Sequence, residues 1–449
     1  MTTERRPPST GDPPSPAQRP SFGRSADPAV RHSTASFADP SALGGSAPLI
    51  SRIRAEIEAS PERRITFARY MERALYEPGL GYYSVIADRP TDRGDFLTAP
   101  ETHAIFGWTI ARRIEAIWDE LHRPRPFALV EYGAGSGTLG LSIFNGLRRH
   151  GSVDLLDAIR YEPVESNPNR LADLRRRFDE AGLAGHVVER LDDRQVDRPV
   201  EGSAASTPTA TSTPIGAAWR TAPNEVVPVT GVILANEFID AIPVHRVVVR
   251  GGTLLELCVA WSGEGSEGSG GFAESAAEPS TPELAARLAD DGVVLAEGQV
   301  AEICLGLDPW LRGVAARLEH GYLLAIDYGY EATELYGPRH LAGSLLGYRG
   351  HRVEPDPFAA PGQVDLTAHV DFTAVARLAT DQGLRTVSLT TQSEFLVAAG
   401  LEEELRALQS SPELTLADYT RARSGIVRML DPRHMGRFRV LTLARDAGS

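Results

Sequence analysis

The feature that most constrains the fold is a glycine-rich segment directly after a short apolar run. Residues Phe127–Tyr132 form the run, and Gly133, Gly135 and Gly137 follow at alternate positions. Helical spacing begins at Thr138. A buried strand, a glycine turn and a helix in this order are typical of open parallel sheets, which bind ligands beyond the carboxyl ends of their strands. The segment therefore predicts an α/β fold with a ligand site at this turn.

Strand-like and helix-like segments alternate along much of the chain. The further strand-like runs are Ala158–Glu165, His186–Arg190, Val229–Asn236, Gly321–Tyr328, Arg385–Thr390 and Phe438–Ala444, and helical spacing recurs over Pro168–Ala181 and Trp310–Leu318. Apolar strands that alternate with helices imply a parallel sheet covered on both faces. In the last run, Arg439, Leu441 and Leu443 alternate with Val440, Thr442 and Ala444, which suits an antiparallel strand. We therefore expect a Rossmann-like, mostly parallel sheet with an antiparallel last strand.

Composition narrows the class of partner and the compartment. The formal net charge is −14, which argues against non-specific binding to nucleic acid or an anionic membrane. The two cysteines, Cys258 and Cys304, form neither a disulfide framework nor a zinc site. No long apolar run or signal pattern is present. All 46 basic residues are arginine, which indicates a bacterial chain in the cytoplasm; the mitochondrial matrix would apply only to a eukaryotic source.

Three segments are predicted to lie outside the packed core. Residues 1–47 are rich in Pro, Ser, Gly and Arg and are expected to be a disordered tail. Two stretches, near 201–224 and near 262–281, are dense in small polar residues and are interpreted as surface loop insertions. Residues 48–125 are expected to form a helical N-terminal region. Residues 126–449 are expected to form the core domain, which contains the two insertions.

Two acids favour one cofactor for the glycine turn. Glu131 ends the first strand, where a carboxylate meets the amino group of a methionine moiety. Glu165 ends the second strand and is placed to accept hydrogen bonds from ribose hydroxyls. These features indicate S-adenosylmethionine, held by Glu131, Gly133, Ala134, Gly135, Gly137 and Glu165. Residues 135–140 also fit the dinucleotide pattern G-x-G-x-x-G, and a glycine turn that only packs a helix on a strand is a further alternative.

The loop after Val229–Asn236 carries the candidate catalytic residues, Asn236, Glu237 and Asp240, among apolar neighbours. Polar groups beside a buried strand need partners, and paired carboxylates suit a guanidinium or ammonium group. They would keep a nucleophilic nitrogen aligned with the methyl donor. The alternative is a helix N-terminus, with Asn236 as the cap and Asp240 in the first turn.

Ordered blocks of sequence resemble the MidA family of methyltransferases, which includes a mitochondrial complex I assembly factor. The blocks are Ile65–Met71, Tyr76–Tyr83, Gly94–Glu101, Glu131–Gly137, Asn236–Val244, Ile326–Tyr330, Tyr348–His351, Asp365–Phe372 and Thr391–Leu396. The resemblance covers about residues 50 to 400. It departs from the family at Thr102–Ala104 and at the two insertions, and neither insertion touches the predicted site.

The resemblance implies a class I methyltransferase that modifies an arginine side chain of a protein, such as a complex I subunit. It also implies that Thr98, Pro100 and Glu101 form an active-site rim near the cofactor, and that a lid near 335–375 brings His351, His369 and Asp371 to the substrate. Both histidines would equally suit structural hydrogen bonds. No metal set is apparent. The alternative function is an assembly or scaffold factor that binds S-adenosylmethionine with little or no turnover.

Overall fold

The computed structural model describes residues 45–85, 98–189, 227–263, 270–350, 352–410 and 415–447. Most of the predicted tail and the whole 201–224 insertion lie outside these ranges. The predicted tail boundary at residue 47 is slightly late, because a helix already begins at Ala47.

The described residues form these helices and strands in chain order. The helices are α1 (Ala47–Ala59), α2 (Phe67–Tyr76), α3 (Tyr82–Val85), α4 (Ala99–Thr102), α5 (Ile105–Glu120), α6 (Thr138–His150), α7 (Val153–Ala158), α8 (Pro168–Glu180), α9 (Glu283–Asp290), α10 (Leu307–Arg317), α11 (Ala332–Leu335), α12 (Phe372–Asp381), α13 (Gln392–Ala398), α14 (Leu401–Gln409) and α15 (Leu416–Leu430). The strands are β1 (Arg64–Thr66), β2 (Phe127–Tyr132), β3 (Ile159–Val164), β4 (Val229–Asn236), β5 (His245–Arg250), β6 (Thr253–Ser262), β7 (Gly271–Ala277), β8 (Val300–Ile303), β9 (Leu318–Asp327), β10 (Gly329–Tyr330), β11 (Leu346–Arg349), β12 (Arg352–Glu354), β13 (Asp365–Thr367), β14 (Val370–Asp371), β15 (Arg385–Thr391) and β16 (Arg439–Arg445).

The central sheet has six strands in the order β15-β16-β9-β4-β2-β3. Strands β3, β2, β4 and β9 are parallel, and β16 runs antiparallel to both neighbours. This confirms the predicted class I sheet with its antiparallel last strand. The strand predicted at His186–Arg190 is wrong in the described part: residues 184–186 are a 3₁₀ turn, and only Val187 bridges to Tyr161.

The two faces of the central sheet are buried under separate helix layers. On one face Leu129 and Leu234 pack in the same core as α5 and α6, and on the other Val130 and Ile233 pack with α10 and α12. The alternation follows from the period of two along each strand. Because both faces are covered, β2 and β4 are nearly continuous apolar runs, and Glu131 and Asn236 lie at their carboxyl ends.

A second, antiparallel sheet was not predicted. It has the order β1-β6-β5-β8, with β7 paired to β6. Strand β7 lies in the stretch interpreted as a loop insertion, so that prediction is wrong for Gly271–Ala277. Its small polar residues resemble those of a loop, but pairing along β6 satisfies their backbone groups. The N-terminal region also differs from the prediction, since β1 joins this sheet beside α1 and α2.

The predicted lid region contains a small sheet of order β12-β11-β13 and a short parallel pair, β10 with β14. Val364 and Leu366 of this region pack in the core formed by α1 and α2. Among the described residues, no helix has the length and apolarity needed to cross a membrane.

Candidate active site

The glycine turn after β2 has the backbone conformation expected from its sequence. Gly133, Gly135 and Gly137 have φ values of 70°, 55° and 79°, which L-residues with side chains rarely adopt. A Cβ at Gly137 would lie 2.7 Å from Leu174 Cγ of α8, so this glycine lets two helices approach. A Cβ at Gly135 would meet nothing closer than Arg170 Nη1, at 3.7 Å. Gly135 therefore leaves room for a ligand at the turn.

Glu165 fastens the glycine turn to the end of β3. Its Oε2 accepts a hydrogen bond from Gly135 N at 2.9 Å, and its Oε1 accepts one from Asn167 N at 2.7 Å. Arg177 Nη1 donates to Ser136 O at 2.7 Å and so holds the turn from α8. The structure thus brings Glu165 beside the turn.

Glu131 lies beneath the surface at the same edge of the sheet. Its side chain is 4% exposed, and its Oε2 accepts a hydrogen bond from the Tyr161 hydroxyl at 2.6 Å. Burial raises the pKa of Glu131 to about 7, with a smaller contribution from the nearby charge of Glu165. The charge of Glu165 therefore acts on Glu131, and a bound ammonium group would stabilise the charged form of Glu131.

The loop after β4 holds buried acceptors without partners. Glu237 has a φ of 49°, in the left-handed region that costs free energy for a side chain other than glycine. Its Oε1 accepts hydrogen bonds from Ala99 N at 3.1 Å and from Asn236 Nδ2 at 3.3 Å. Glu237 Oε2 and Asn236 Oδ1 are buried and have no hydrogen-bond partner within the described part of the chain. Burial raises the pKa of Glu237 to about 8.

Asp327, the last residue of β9, holds this loop in place. Its Oδ2 accepts backbone hydrogen bonds from Phe238, Ile239 and Asp240 at 3.2, 2.9 and 3.3 Å. The side chain is fully buried, and burial together with the charge of Glu237 raises the pKa of Asp327 to about 8. Sequence reasoning missed this residue, although the rule that found Glu131, an acid at the end of an apolar strand, applies to it equally.

Asp240 lies in the same loop and is also buried. Its Oδ2 accepts a short hydrogen bond from the Tyr328 hydroxyl, and burial and the charge of Asp327 raise its pKa well above the usual range. The helix N-terminus predicted as the alternative is wrong for Asn236 and correct for Asp240. Asp240 lies in the first turn of a 3₁₀ helix, Ile239–Ala241, whose N-cap is Phe238 and not Asn236.

Tyrosines and a further acid from distant segments lie beside the loop after β4. The Tyr76 hydroxyl donates to Ala241 O at 2.9 Å, and the Tyr83 hydroxyl donates to Asp365 Oδ1 at 2.7 Å. Burial, and after it the charges of Asp240 and Asp365, raise the pKa of Tyr348. All of these residues lie in blocks that carry the family resemblance, but no role was predicted for Tyr76 or Tyr83, because α2, α3 and β13 meet only in the folded chain. We call the cluster formed by the acids Glu237, Asp240 and Asp365, whose charges act on one another, the acidic pocket.

The predicted rim contacts the acidic pocket. Thr98 is the N-cap of α4, and its backbone N donates to Glu101 Oε2 at 3.1 Å. Pro100 is buried and Glu101 is exposed. Since Ala99 N donates to Glu237, this rim reaches the loop after β4. The rest of block Gly94–Glu101 lies outside the described residues.

The three predicted substrate residues have different outcomes. His351 lies outside the described residues. The His369 ring packs against Tyr328, with 5.6 Å between ring centroids, and burial lowers its pKa to about 4, so it is neutral. Asp371 caps α12 by accepting from Ala374 N at 3.0 Å. Asp371 therefore has a local structural role, and its predicted substrate contact stays a prediction.

Comparisons with known proteins identify the family of the chain and its cofactor. A family model for S-adenosyl-L-methionine-dependent methyltransferases, Methyltransf_28, matches residues 109–390. The chain belongs to this family. A crystal structure of a COG1565 superfamily member from Burkholderia thailandensis, bound to S-adenosyl-homocysteine, superposes with a TM-score of 0.71 at 29% identity; the match covers 91% of this chain and 95% of that one.

Two curated relatives extend the comparison. The protein arginine methyltransferase NDUFAF7 homolog of Drosophila melanogaster is 29% identical over 90% of this chain and 86% of its own length. The NDUFAF7 protein of Danio rerio is 28% identical over 85% of each. The resemblance to the MidA family is thus confirmed, and the chain is an S-adenosylmethionine-dependent methyltransferase.

The residues at the glycine turn fit this cofactor. Gly135 leaves space at the turn, and Glu131 and Glu165 supply carboxylates at the ends of adjacent strands. No group of three or more His, Cys, Asp or Glu side chains suited to a metal ion occurs among the residues that the structure describes.

Proposed function

We propose that this methyltransferase modifies a guanidinium nitrogen of an arginine side chain in a protein, and that the acidic pocket holds the guanidinium. The observation that carries the proposal is the pair of buried acceptors without partners, Glu237 Oε2 and Asn236 Oδ1. Buried acceptors of this kind are costly unless a ligand supplies donors. A planar guanidinium offers five N–H donors and a charge that suits paired carboxylates.

The electrostatics of the pocket support a cationic acceptor. Burial raises the pKa of Glu237, Asp240 and Asp327, and each of these carboxyls also experiences the charge of another acid in the set. No Arg or His side chain in the described ranges forms a salt bridge with any of the three. A bound guanidinium would stabilise their charged forms, and so the pocket favours a cation over a neutral acceptor.

Each residue of the proposed site has a separate task. When bound, S-adenosylmethionine supplies an electrophilic methyl group. Glu131, Glu165 and residues 133–137 hold the cofactor. Asn236 and Glu237 orient the acceptor nitrogen, and positioning of this kind accounts for much of catalysis. Glu237 Oε2 is placed to take the proton that the acceptor nitrogen releases, and Asp327 keeps the loop that carries Glu237 in its geometry.

The arginine methyltransferases among the relatives support the same acceptor class. The resemblance described above further points to a subunit of respiratory complex I as the client. Neither the tyrosines nor the acids of the pocket specify which protein supplies the arginine, so the client is an expectation from family membership.

Transfer of labelled methyl groups tests the proposal. Purified enzyme and labelled S-adenosylmethionine are incubated with proteins from cells that lack the gene, and labelled bands are digested for mass spectrometry. The expected product is methylarginine. Label on another residue type would contradict the acceptor class. Binding of S-adenosylhomocysteine without any labelled protein would instead favour the scaffold function.

A further inference from the structure

Asn167 connects two regions that are far apart in the sequence. It is the N-cap of α8, and its Oδ1 accepts from Asn169 N at 2.9 Å and from Arg170 N at 3.4 Å. Its Nδ2 donates to Tyr83 O at 2.6 Å and to Ser84 O at 3.3 Å. The residue is 2% exposed. The orientation of the amide is fixed by chemistry, since backbone N–H groups require the oxygen and backbone carbonyls require the nitrogen.

One end of this connection lies in the cofactor site. Asn167 N donates to Glu165 Oε1, and Glu165 Oε2 accepts from Gly135 N. The capping residue, the proposed ribose acid and the glycine turn therefore form one hydrogen-bonded unit. A ligand that immobilises Glu165 also immobilises Asn167.

The other end lies in the acidic pocket. The segment Tyr82–Val85 receives both Nδ2 hydrogen bonds through its carbonyls, and the hydroxyl of Tyr83 donates to Asp365. The charge of Asp365 in turn raises the pKa of Asp240. The Tyr83 ring also packs on Tyr76, with 5.4 Å between centroids, and Tyr76 donates to Ala241 O. Fixing the backbone at Tyr83 therefore fixes one wall of the pocket.

We propose that Asn167 is a positioning residue that couples the cofactor site to the acidic pocket, so that cofactor binding orders the Tyr82–Val85 segment and prepares the pocket for the acceptor. The cap alone does not need an amide, because Ser and Asp cap helices equally well. Only the Nδ2 donor to Tyr83 and Ser84 requires Asn at this position. Coupling through shared ordering makes the acceptor bind better after the cofactor. The part of this proposal that concerns the acceptor rests on the proposed function. The part that concerns the cofactor rests on the activity of the family.

Hydrogen exchange of the full-length protein, with and without S-adenosylhomocysteine, tests the coupling. In the wild type, the ligand should slow exchange in a peptide covering residues 78–85 by about fivefold or more, in addition to slowing it over 133–140. Asn167→Asp keeps a capping oxygen and places a second oxygen against the carbonyls. In this variant, protection over 133–140 should remain and protection over 78–85 should fall below about twofold.

Two further variants make the outcome specific. Asn169→Asp adds the same charge two residues away, at an exposed position, and should behave as wild type. Asn167→Ser caps without a charge and should match Asn167→Asp; it also serves if the aspartate variant does not fold. Ligand-induced protection of 78–85 that is absent in the wild type, retained in both Asn167 variants, or lost in Asn169→Asp would overturn the proposal. Since no acceptor is used, failure here is distinct from failure of the arginine assignment.

Discussion

The glycine turn after β2 and the loop after β4 lie at the same edge of the sheet, yet they are built differently. In the turn, positive φ angles fall on glycines, and both oxygens of Glu165 accept backbone hydrogen bonds. In the loop, a positive φ falls on Glu237, and its Oε2 is buried without a partner. At the turn, the carboxylate oxygens of Glu165 have hydrogen-bond partners within the protein, whereas in the loop a buried oxygen of Glu237 has none among the described residues. The difference supports the proposal that the first region is a preformed cofactor site and that the second is completed by the acceptor.

The largest effect is expected from a side chain at the turn. Gly135→Val should lower affinity for S-adenosylhomocysteine at least 100-fold, about 2.7 kcal/mol, because the side chain fills the space that the ligand needs. Isothermal titration calorimetry measures this. Gly151→Val is the matched control, since Gly151 also has a positive φ of 70° but lies at the far end of α6. Equal loss of affinity in both variants would mean that backbone strain, and not occupation of the site, is responsible.

Glu237→Gln should separate the two regions. We expect methyl transfer to fall by about 10²–10³-fold, as for loss of one preorganised polar group, because the neutral amide no longer pairs with a cation or accepts its proton. Affinity for S-adenosylhomocysteine should stay within about twofold of wild type, given that Glu237 contacts Ala99 and Asn236 and not the turn. Glu180→Gln, an exposed site on α8, is the control. Full activity of Glu237→Gln would remove this residue from the mechanism.

The burial of the Glu237 carboxyl should also make the stability of the protein depend on pH. Burial raises its pKa from 4.5 to about 8, so between these values the folded state binds more protons than the unfolded chain. Stability should therefore fall as pH rises through this window. Glu237→Gln carries no such charge, and should exceed wild type in free energy of unfolding by at least about 1 kcal/mol at pH 8.5 but by less at pH 5. Urea denaturation at the two pH values measures it, and a pH-independent difference would contradict the assigned cause.

The smallest effect is expected at Asp371, which the structure assigns to a helix cap. Asp371→Ala should destabilise the protein by about 1 kcal/mol, whereas Asp371→Asn should cost much less because Asn also caps helices. Urea denaturation distinguishes the two. Neither variant should change the KM for the protein acceptor, and a raised KM in Asp371→Asn would restore the substrate role predicted from the sequence.

Local patterns explain which parts of this account the sequence could provide. Strand β4 occupies the predicted range Val229–Asn236, and α6 begins at the predicted Thr138, because apolar periodicity and glycine positions are local signals. The resemblance to the MidA family predicted that the α/β fold is that of a class I methyltransferase. Strand β7 was missed because its pairing partner, and not its composition, makes it a strand.

The same distinction applies to the site. Glu165 and the glycines follow directly from strand ends, and the acids of the β4 loop were visible as polar groups among apolar neighbours. Asn167 and Tyr83 act through contacts to residues 83 or more positions away, and no local pattern encodes such contacts. Asp327 was missed although its place at the end of an apolar strand is a local signal. The predicted roles at the cofactor stay predictions for Glu131, Gly133, Ala134, Gly135, Gly137, Glu165, Thr98, Pro100 and Glu101.

The central claim is that Glu237 serves methyl transfer to arginine, and mass spectrometry of complex I subunits tests it most directly. Subunits are purified from wild-type cells, from cells lacking the gene, and from the same cells supplied with Glu237→Gln. We expect an arginine that is methylated in the wild type and unmethylated in both other samples. Unchanged arginine methylation in the cells that lack the gene would contradict the complex I client, and methylation restored by Glu237→Gln would contradict the central claim.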